Sequence, residues 1–70
     1  MKNKILGKPA VNMILGRTEQ AAIEHLKEFN YTMRVINREG SPLMTTTDYD
    51  ETRVNVFIVN GKVDDIHNIG

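Results

Sequence analysis

The stretch Arg53-Val54-Asn55-Val56-Phe57-Ile58-Val59-Asn60-Gly61-Lys62-Val63 decides the fold. Its first seven residues are rich in β-branched and aromatic side chains, the composition of a strand. The second half, Val56 to Val59, is apolar at every position, so the run reads as a central strand covered on both faces. Asn60-Gly61 then offers two residues that tolerate positive φ, which a two-residue type I′ hairpin turn requires at both central positions. Lys62 to Ile69 returns as a second strand, with Val63, Ile66 and Ile69 apolar.

Two further elements lie upstream. Tyr31 to Asn37 alternates, with Tyr31, Met33 and Val35 on one face and Thr32, Arg34 and Ile36 on the other, which predicts a strand. Thr18 to Asn30 predicts a helix. Thr18 is a good N-cap, since its hydroxyl can accept from free amides of the first turn. Glu19 follows where the helix dipole favours an anion. Ala22, Ile23, Leu26 and Phe29 form one apolar stripe, read as core, and Asn30 suits a left-handed C-cap. His25 falls on the polar side without a His partner at i+4.

Composition narrows the function. The chain has 70 residues, 40% of them apolar, with nine Lys plus Arg against nine Asp plus Glu. One domain over 1–70 is the ceiling at this length. The absence of Cys excludes a disulfide or thiolate-metal framework. Zero net charge argues against a nucleic-acid or membrane-surface binder. No run approaches the ~20 apolar residues of a membrane span. Lys2, Lys4 and Lys8 make residues 1–10 a basic N-terminal strand or tail, read as a solvated segment rather than a binding arm. Lys8 and Pro9 interrupt what would otherwise begin like a secretory signal, so the expected compartment is the cytoplasm. Asn30-Tyr31-Thr32 matches a glycosylation sequon and is read as chance.

Between the predicted strands lies Arg38 to Thr52, holding Gly40, Pro42, three consecutive Thr and the acidic run Asp48 to Glu51. Neither helical nor strand periodicity survives there. Loops this long in small domains are generally functional. The residues supply little catalytic chemistry. Ser41 is the only Ser, with no His near it in sequence, and Thr45, Thr46 and Thr47 have no evident activating base. Gly40 leads into Pro42 rather than into a helix, so no phosphate loop forms. Asp48, Asp50 and Glu51 lack the spacing of a calcium loop. Asp64, Asp65 and His67 do not share one face of a strand. The expectation is a binding protein, not an enzyme, with no metal or cofactor.

The loop has features that favour binding. Thr side chains stiffen χ1 and favour extended backbone, and Pro42 fixes its own φ and biases Ser41 toward extended geometry. Arg53 stands where the loop lands, and its guanidinium fork can hold a carboxylate or carbonyls. The blander role for Arg53 is a surface salt bridge to Asp50 or Glu51. An extended, braced, exposed segment is what a protease cleft accepts.

At this point the sequence resembles the potato inhibitor I family, which includes the eglin-type serine-protease inhibitors. Ile14-Leu15-Gly16-Arg17-Thr18 is similar to the family's entry into its helix, Glu39-Gly40-Ser41-Pro42 to the start of its binding loop, Arg53-Val54-Asn55-Val56-Phe57 to the strand after it, and Ile69-Gly70 to its end. Thr46-Thr47-Asp48-Tyr49 with Arg53-Val54-Asn55-Val56 is also similar to bacterial cysteine-stapled inhibitors of related sequence. The resemblance covers about residues 11 to 70. It implies an α/β (α+β) fold: one helix packed on a small mixed sheet, with a long exposed loop between two parallel strands. The residues alone leave parallel and antiparallel open. A parallel pair needs a long crossover, which the loop can supply.

The resemblance also implies a serine endopeptidase inhibitor that presents an extended, substrate-like loop, about residues 40–52, to a subtilisin- or chymotrypsin-like protease. Ser41, Pro42, Leu43, Met44, Thr45, Thr46, Thr47, Asp48 and Tyr49 form the expected contact segment, and Gly40, Arg53 and Asn55 the loop-bracing residues. The loop is two residues longer than the eglin pattern. Counting forward puts the primary specificity residue at Thr45, counting back from Arg53 puts it at Thr47, and Met44 serves if the extra residues follow it. Where eglin-like members carry a second supporting arginine, this chain has Asn55. The aromatic-Pro-Glu before the helix is replaced by Val11-Asn12-Met13.

Two other functions fit the same residues. One is a non-inhibitory intracellular interaction module of this fold, phage or mobile-element encoded, that binds a host protein. The other is a binder of a small anion through Arg34, Arg38 or Arg53. The expected state is a monomer or small homo-oligomer.

Overall fold

The computed structural model describes residues 4–70. Helix α1 spans Pro9–Asn12 and helix α2 spans Glu19–Glu28. Strands β1 (Thr32–Arg38), β2 (Ser41–Pro42), β3 (Arg53–Val59) and β4 (Lys62–Ile69) follow. They form one mixed sheet in the order β2-β1-β3-β4. β1 runs parallel to β3, with Thr32 opposite Arg53 and Arg34 opposite Asn55, whereas β3–β4 and β1–β2 are antiparallel. The chain is therefore of mixed α/β class, with one main helix on a four-stranded sheet.

The β3–β4 hairpin turns where the sequence predicts. Asn60 and Gly61 adopt φ 54° and 73°, the paired positive values of a type I′ turn. β3 is central. Val54, Val56 and Ile58 are fully buried against Ala22 and Leu26 of α2, together with Val11, Ile14, Val63 and Ile66. Val63 and Ile66 are three apart yet both face the core. A bulge makes this possible: pairing jumps from Ile58–Val63 to Phe57–Asp65, leaving Asp64 as the extra residue. A second bulge, between the Asn55–Asn68 and Val56–Ile66 pairs, leaves His67 extra.

Helix α2 begins as expected. The Thr18 hydroxyl accepts from Ala21 N at 3.2 Å, and Asn30 (φ 64°) ends the helix in left-handed geometry. Phe29 departs from expectation. It stands past the last helical turn, is 47% exposed, and packs on the His25 ring rather than in the core. The His25 Nε2–H donates to Ala10 O at 2.7 Å, since a carbonyl can only accept.

The N-terminal region also differs from the predicted strand or tail. Residues 1–3 of that segment lie outside the described residues. Pro9 opens the short α1, at the one helical position where a missing N–H costs nothing. Asn12 then holds the chain before it: its Oδ1 accepts from Ile5 N at 2.7 Å and its Nδ2 donates to Ile5 O at 2.9 Å.

Arg38 to Thr52 is more structured than its sequence suggests. β1 continues through Arg38, and Glu39-Gly40 (φ 52° and 81°) make a two-residue turn into β2. The strain of positive φ at Glu39 is offset by bonds to the body: its N–H donates to Ile58 O at 2.9 Å, and its Oε1 accepts from Asn60 N at 2.5 Å. Pro42 is tolerated because β2 lies at the sheet edge. Between β2 and β3, residues 43–52 form neither helix nor strand. Among the described residues, no helix is long and apolar enough to cross a membrane.

Candidate functional site

The sheet has one face covered by α2 and a second face that carries the polar residues of β1 and β3. Val54, Val56 and Ile58 point to the helix, so Arg53, Asn55 and Phe57 point to the other side. Arg34, opposite Asn55 in the parallel ladder, joins that face. A bulge between Val35 and Asn37 reverses the alternation further along β1. Arg38 consequently emerges on the helix side, where Nη1 and Nη2 donate to the two Glu19 carboxylate oxygens at 2.8 and 3.2 Å. This pairing holds the Glu19 carboxyl below the usual carboxylate range. Arg34, Arg38 and Arg53 thus do not surround a common point.

The segment after β2 passes over the polar face and is fastened to it from two sides. On one side, Arg34 Nη1 donates to Thr46 Oγ1 at 3.2 Å. The Thr46 hydroxyl in turn donates to Asp48 Oδ1. On the other side, Arg53 Nη2 donates to the Asp48 carbonyl oxygen at 2.8 Å, and Nη1 lies 3.4 Å from Asp48 Oδ2. The Thr46 hydroxyl, and then the Arg53 charge, hold the Asp48 carboxyl below its usual range. Arg53 therefore pairs with Asp48, not with Asp50 or Glu51 as its blander role would have it.

The two arginines are held from beneath. Asn55, 4% exposed, accepts from Arg34 Nε at 2.9 Å through Oδ1. Its Nδ2 donates to Asn68 Oδ1 at 2.8 Å and to Gly70 O at 3.1 Å. Arg53 Nε donates to the same Gly70 carbonyl at 3.0 Å. The contacts close on themselves: Arg34, Thr46, Asp48, Arg53, Gly70, Asn55 and back to Arg34. Among the described residues, the side-chain hydrogen bonds of Asn55 run to Arg34, Asn68 and Gly70 rather than to the loop itself. It supports the guanidinium that reaches the loop.

The loop's landing is fixed separately. Asp50 Oδ1 accepts from Thr52 N at 2.9 Å and Thr52 Oγ1 at 2.7 Å, and Asp50 O accepts from Arg53 N at 3.1 Å. The Thr52 bonds lower the Asp50 carboxyl below its usual range. On the entry side Leu43 N donates to Ile36 O at 3.0 Å. Between these anchors the chain bends at Thr47. Met44 is fully exposed and Tyr49 is 75% exposed. Thr45 and Thr47 are exposed as well, and their side chains take no part in the brace.

Of the predicted contact residues, Ser41 and Pro42 are drawn into β2, with Gly40 in the turn before them. Leu43 marks the end of the ladder. Thr46 and Asp48 face the sheet, while Met44, Thr45, Thr47 and Tyr49 remain on the outside. Arg34, Asn68 and Gly70 belong to the brace and lie outside the expected bracing set. The strand alternation did place Arg34 opposite Met33 and Val35, but its pairing with Asn55 depends on a parallel register that the residues left open. Among the described residues, no group of three His, Cys, Asp or Glu side chains converges to hold a metal. In comparisons with known proteins, no family model, curated protein or solved structure matches this chain.

Proposed function

We propose that the chain is a substrate-like inhibitor of serine endopeptidases, with the Thr47–Asp48 peptide as the bond offered to the protease. The observation that carries this reading is the two-sided brace. Thr46 and Asp48 are each tied to a different arginine, while Thr47 stands exposed at a bend between them. A segment already ordered forfeits little conformational entropy on entering a cleft, so it gains affinity over a floppy peptide of the same sequence. The same ties keep both ends of a cut bond in place, which opposes release of the products. The likeness to potato inhibitor I members in Ile14–Thr18, Glu39–Pro42, Arg53–Phe57 and Ile69–Gly70 supports the same reading. In this role the chain is not an enzyme and uses no cofactor, and a Cys-free chain of this kind suits the cytoplasm.

Thr47 is small and β-branched, which fits a shallow primary pocket of the kind an elastase-like member of the chymotrypsin class offers. No Lys or Arg occurs between Ser41 and Tyr49, so a protease requiring a basic residue there is a poor target. The test is an inhibition titration against subtilisin, chymotrypsin, elastase and trypsin. The expected result is inhibition of subtilisin or elastase, weakened at least tenfold by Thr47→Asp. Failure to inhibit any of them at micromolar concentration would refute the reading and favour a protein-interaction module of the same fold.

A further inference from the structure

We infer that Arg34 is a loop-positioning residue, and that strand β1, not only the strand after the loop, controls how rigidly Thr46 to Asp48 is held. The inference deepens the inhibitor reading and rests on it only for its kinetic consequence.

Three observations carry it. First, Arg34 reaches the loop from the neighbouring parallel strand, because register sets it beside Asn55. The buried Asn55 amide serves Arg34. Second, the direction of every bond in the chain of contacts is determined. Arg34 can only donate, so Thr46 Oγ1 accepts from it and directs its own hydrogen at Asp48. Reversing the Asn55 amide would set its NH2 against the Arg34 Nε–H and its oxygen against the Gly70 carbonyl, so the amide has one workable orientation. Bonds aligned head to tail in this way polarise one another. Third, Arg34 and Arg53 grip opposite sides of Thr47, and among the described residues no other side chain of the sheet hydrogen-bonds the Thr46 side. Without Arg34, Thr46 keeps only its bond to Asp48, which moves with the loop.

Arg34 is half-buried, and its guanidinium fork uses two nitrogens on two acceptors. An ammonium on a flexible stem cannot reproduce that geometry. Arg34→Lys should therefore fail to restore what Arg34→Ala removes. Thr46→Val deletes the accepting hydroxyl at an exposed site, which leaves the core untouched and guards against a variant that simply fails to fold.

The experiment measures amide hydrogen exchange at residues 45–49, the unfolding midpoint, and the cleavage rate by whichever protease the intact chain inhibits. Arg34→Ala and Thr46→Val should each speed loop exchange about tenfold or more, with core amides of β3 nearly unchanged. The effect of the double variant should fall well short of the product of the two single effects, because the Arg34–Thr46 contact is lost in both. Cleavage of the loop should accelerate in parallel. Unchanged loop exchange in Arg34→Ala, or full rescue by Lys, would overturn the inference. The exchange arm needs no protease. A loop loosened by Arg34→Ala in a chain that inhibits nothing therefore supports the inference while removing the inhibitor reading. Inhibition that is insensitive to Arg34 does the reverse.

Discussion

At the scale of single residues, Asn55 has the most demanding position. It is a buried polar side chain on the central strand, and it is tolerated there because both ends of its amide are bonded. Asn55→Asp should cost about 2–3 kcal/mol in denaturant unfolding, since a carboxylate oxygen would then face the Gly70 carbonyl and Asn68 Oδ1, two acceptors with nothing to donate. Asn55→Ala should cost less, about 1–2 kcal/mol, while freeing Arg34 from its support. Asp48 sets a different dependence. Its carboxyl is held below the usual range in the folded loop by the Thr46 hydroxyl and by Arg53. The ionised form is the one the brace holds, so the loop is fully tied above the ordinary Asp range and released as pH falls through the lowered folded value. Exchange at residues 45–49, taken relative to the free-peptide rate at the same pH, should thus be flat from neutral to mildly acidic pH and rise steeply only below it. Asp48→Asn should abolish that rise, and an unchanged profile in this variant would show that another group governs it.

At the scale of elements, the hairpin and the helix were legible because each rests on local chemistry. Asn60-Gly61 meets the dihedral demand of its turn by itself, and Thr18 caps α2 with its own hydroxyl. Elements that depend on distant partners were not legible. Pro9 reads as a breaker in isolation, yet opens α1 because Val11 and Ile14 bury against the sheet. Ser41-Pro42 becomes a strand only because β1 is present to pair with it. The bulges at Asp64 and His67 likewise cannot be read from alternation: the first brings Val63 and Ile66 to one face, and the second brings Ile69 to that face as well. The bracing follows the same division. Arg53 and Asp48 lie close in sequence, so their pairing is a local matter, whereas Arg34 and Gly70 arrive through the sheet. The core elements are also where stability resides. Ile66→Ala, at a fully buried site against Val56, should cost about 2–5 kcal/mol. That is a large share of the ~5 kcal/mol expected for a domain of this size. A loss of unfolding free energy below about 1 kcal/mol would mean that β4 contributes little to the core.

At the scale of the whole molecule, α2 and the β3–β4 hairpin form a stable base, and the opposite face of the sheet is given over to holding one segment. The division explains why so polar a face persists on a small sheet: its arginines hold the loop, and the Asn55 amide holds Arg34 rather than being left to solvent. It also predicts that loop variants should change behaviour toward proteases without unfolding the molecule. Arg53→Ala should turn a slow substrate into a fast one, raising the rate of loop cleavage by about tenfold or more while the hairpin stays intact. The most direct test of the account is mass spectrometry of the intact chain mixed with subtilisin or elastase and followed over hours. The account predicts one slow cut, between Thr47 and Asp48, in a chain that remains folded and still occupies the protease. Rapid cutting, or a first cut anywhere outside residues 44–48, would contradict it.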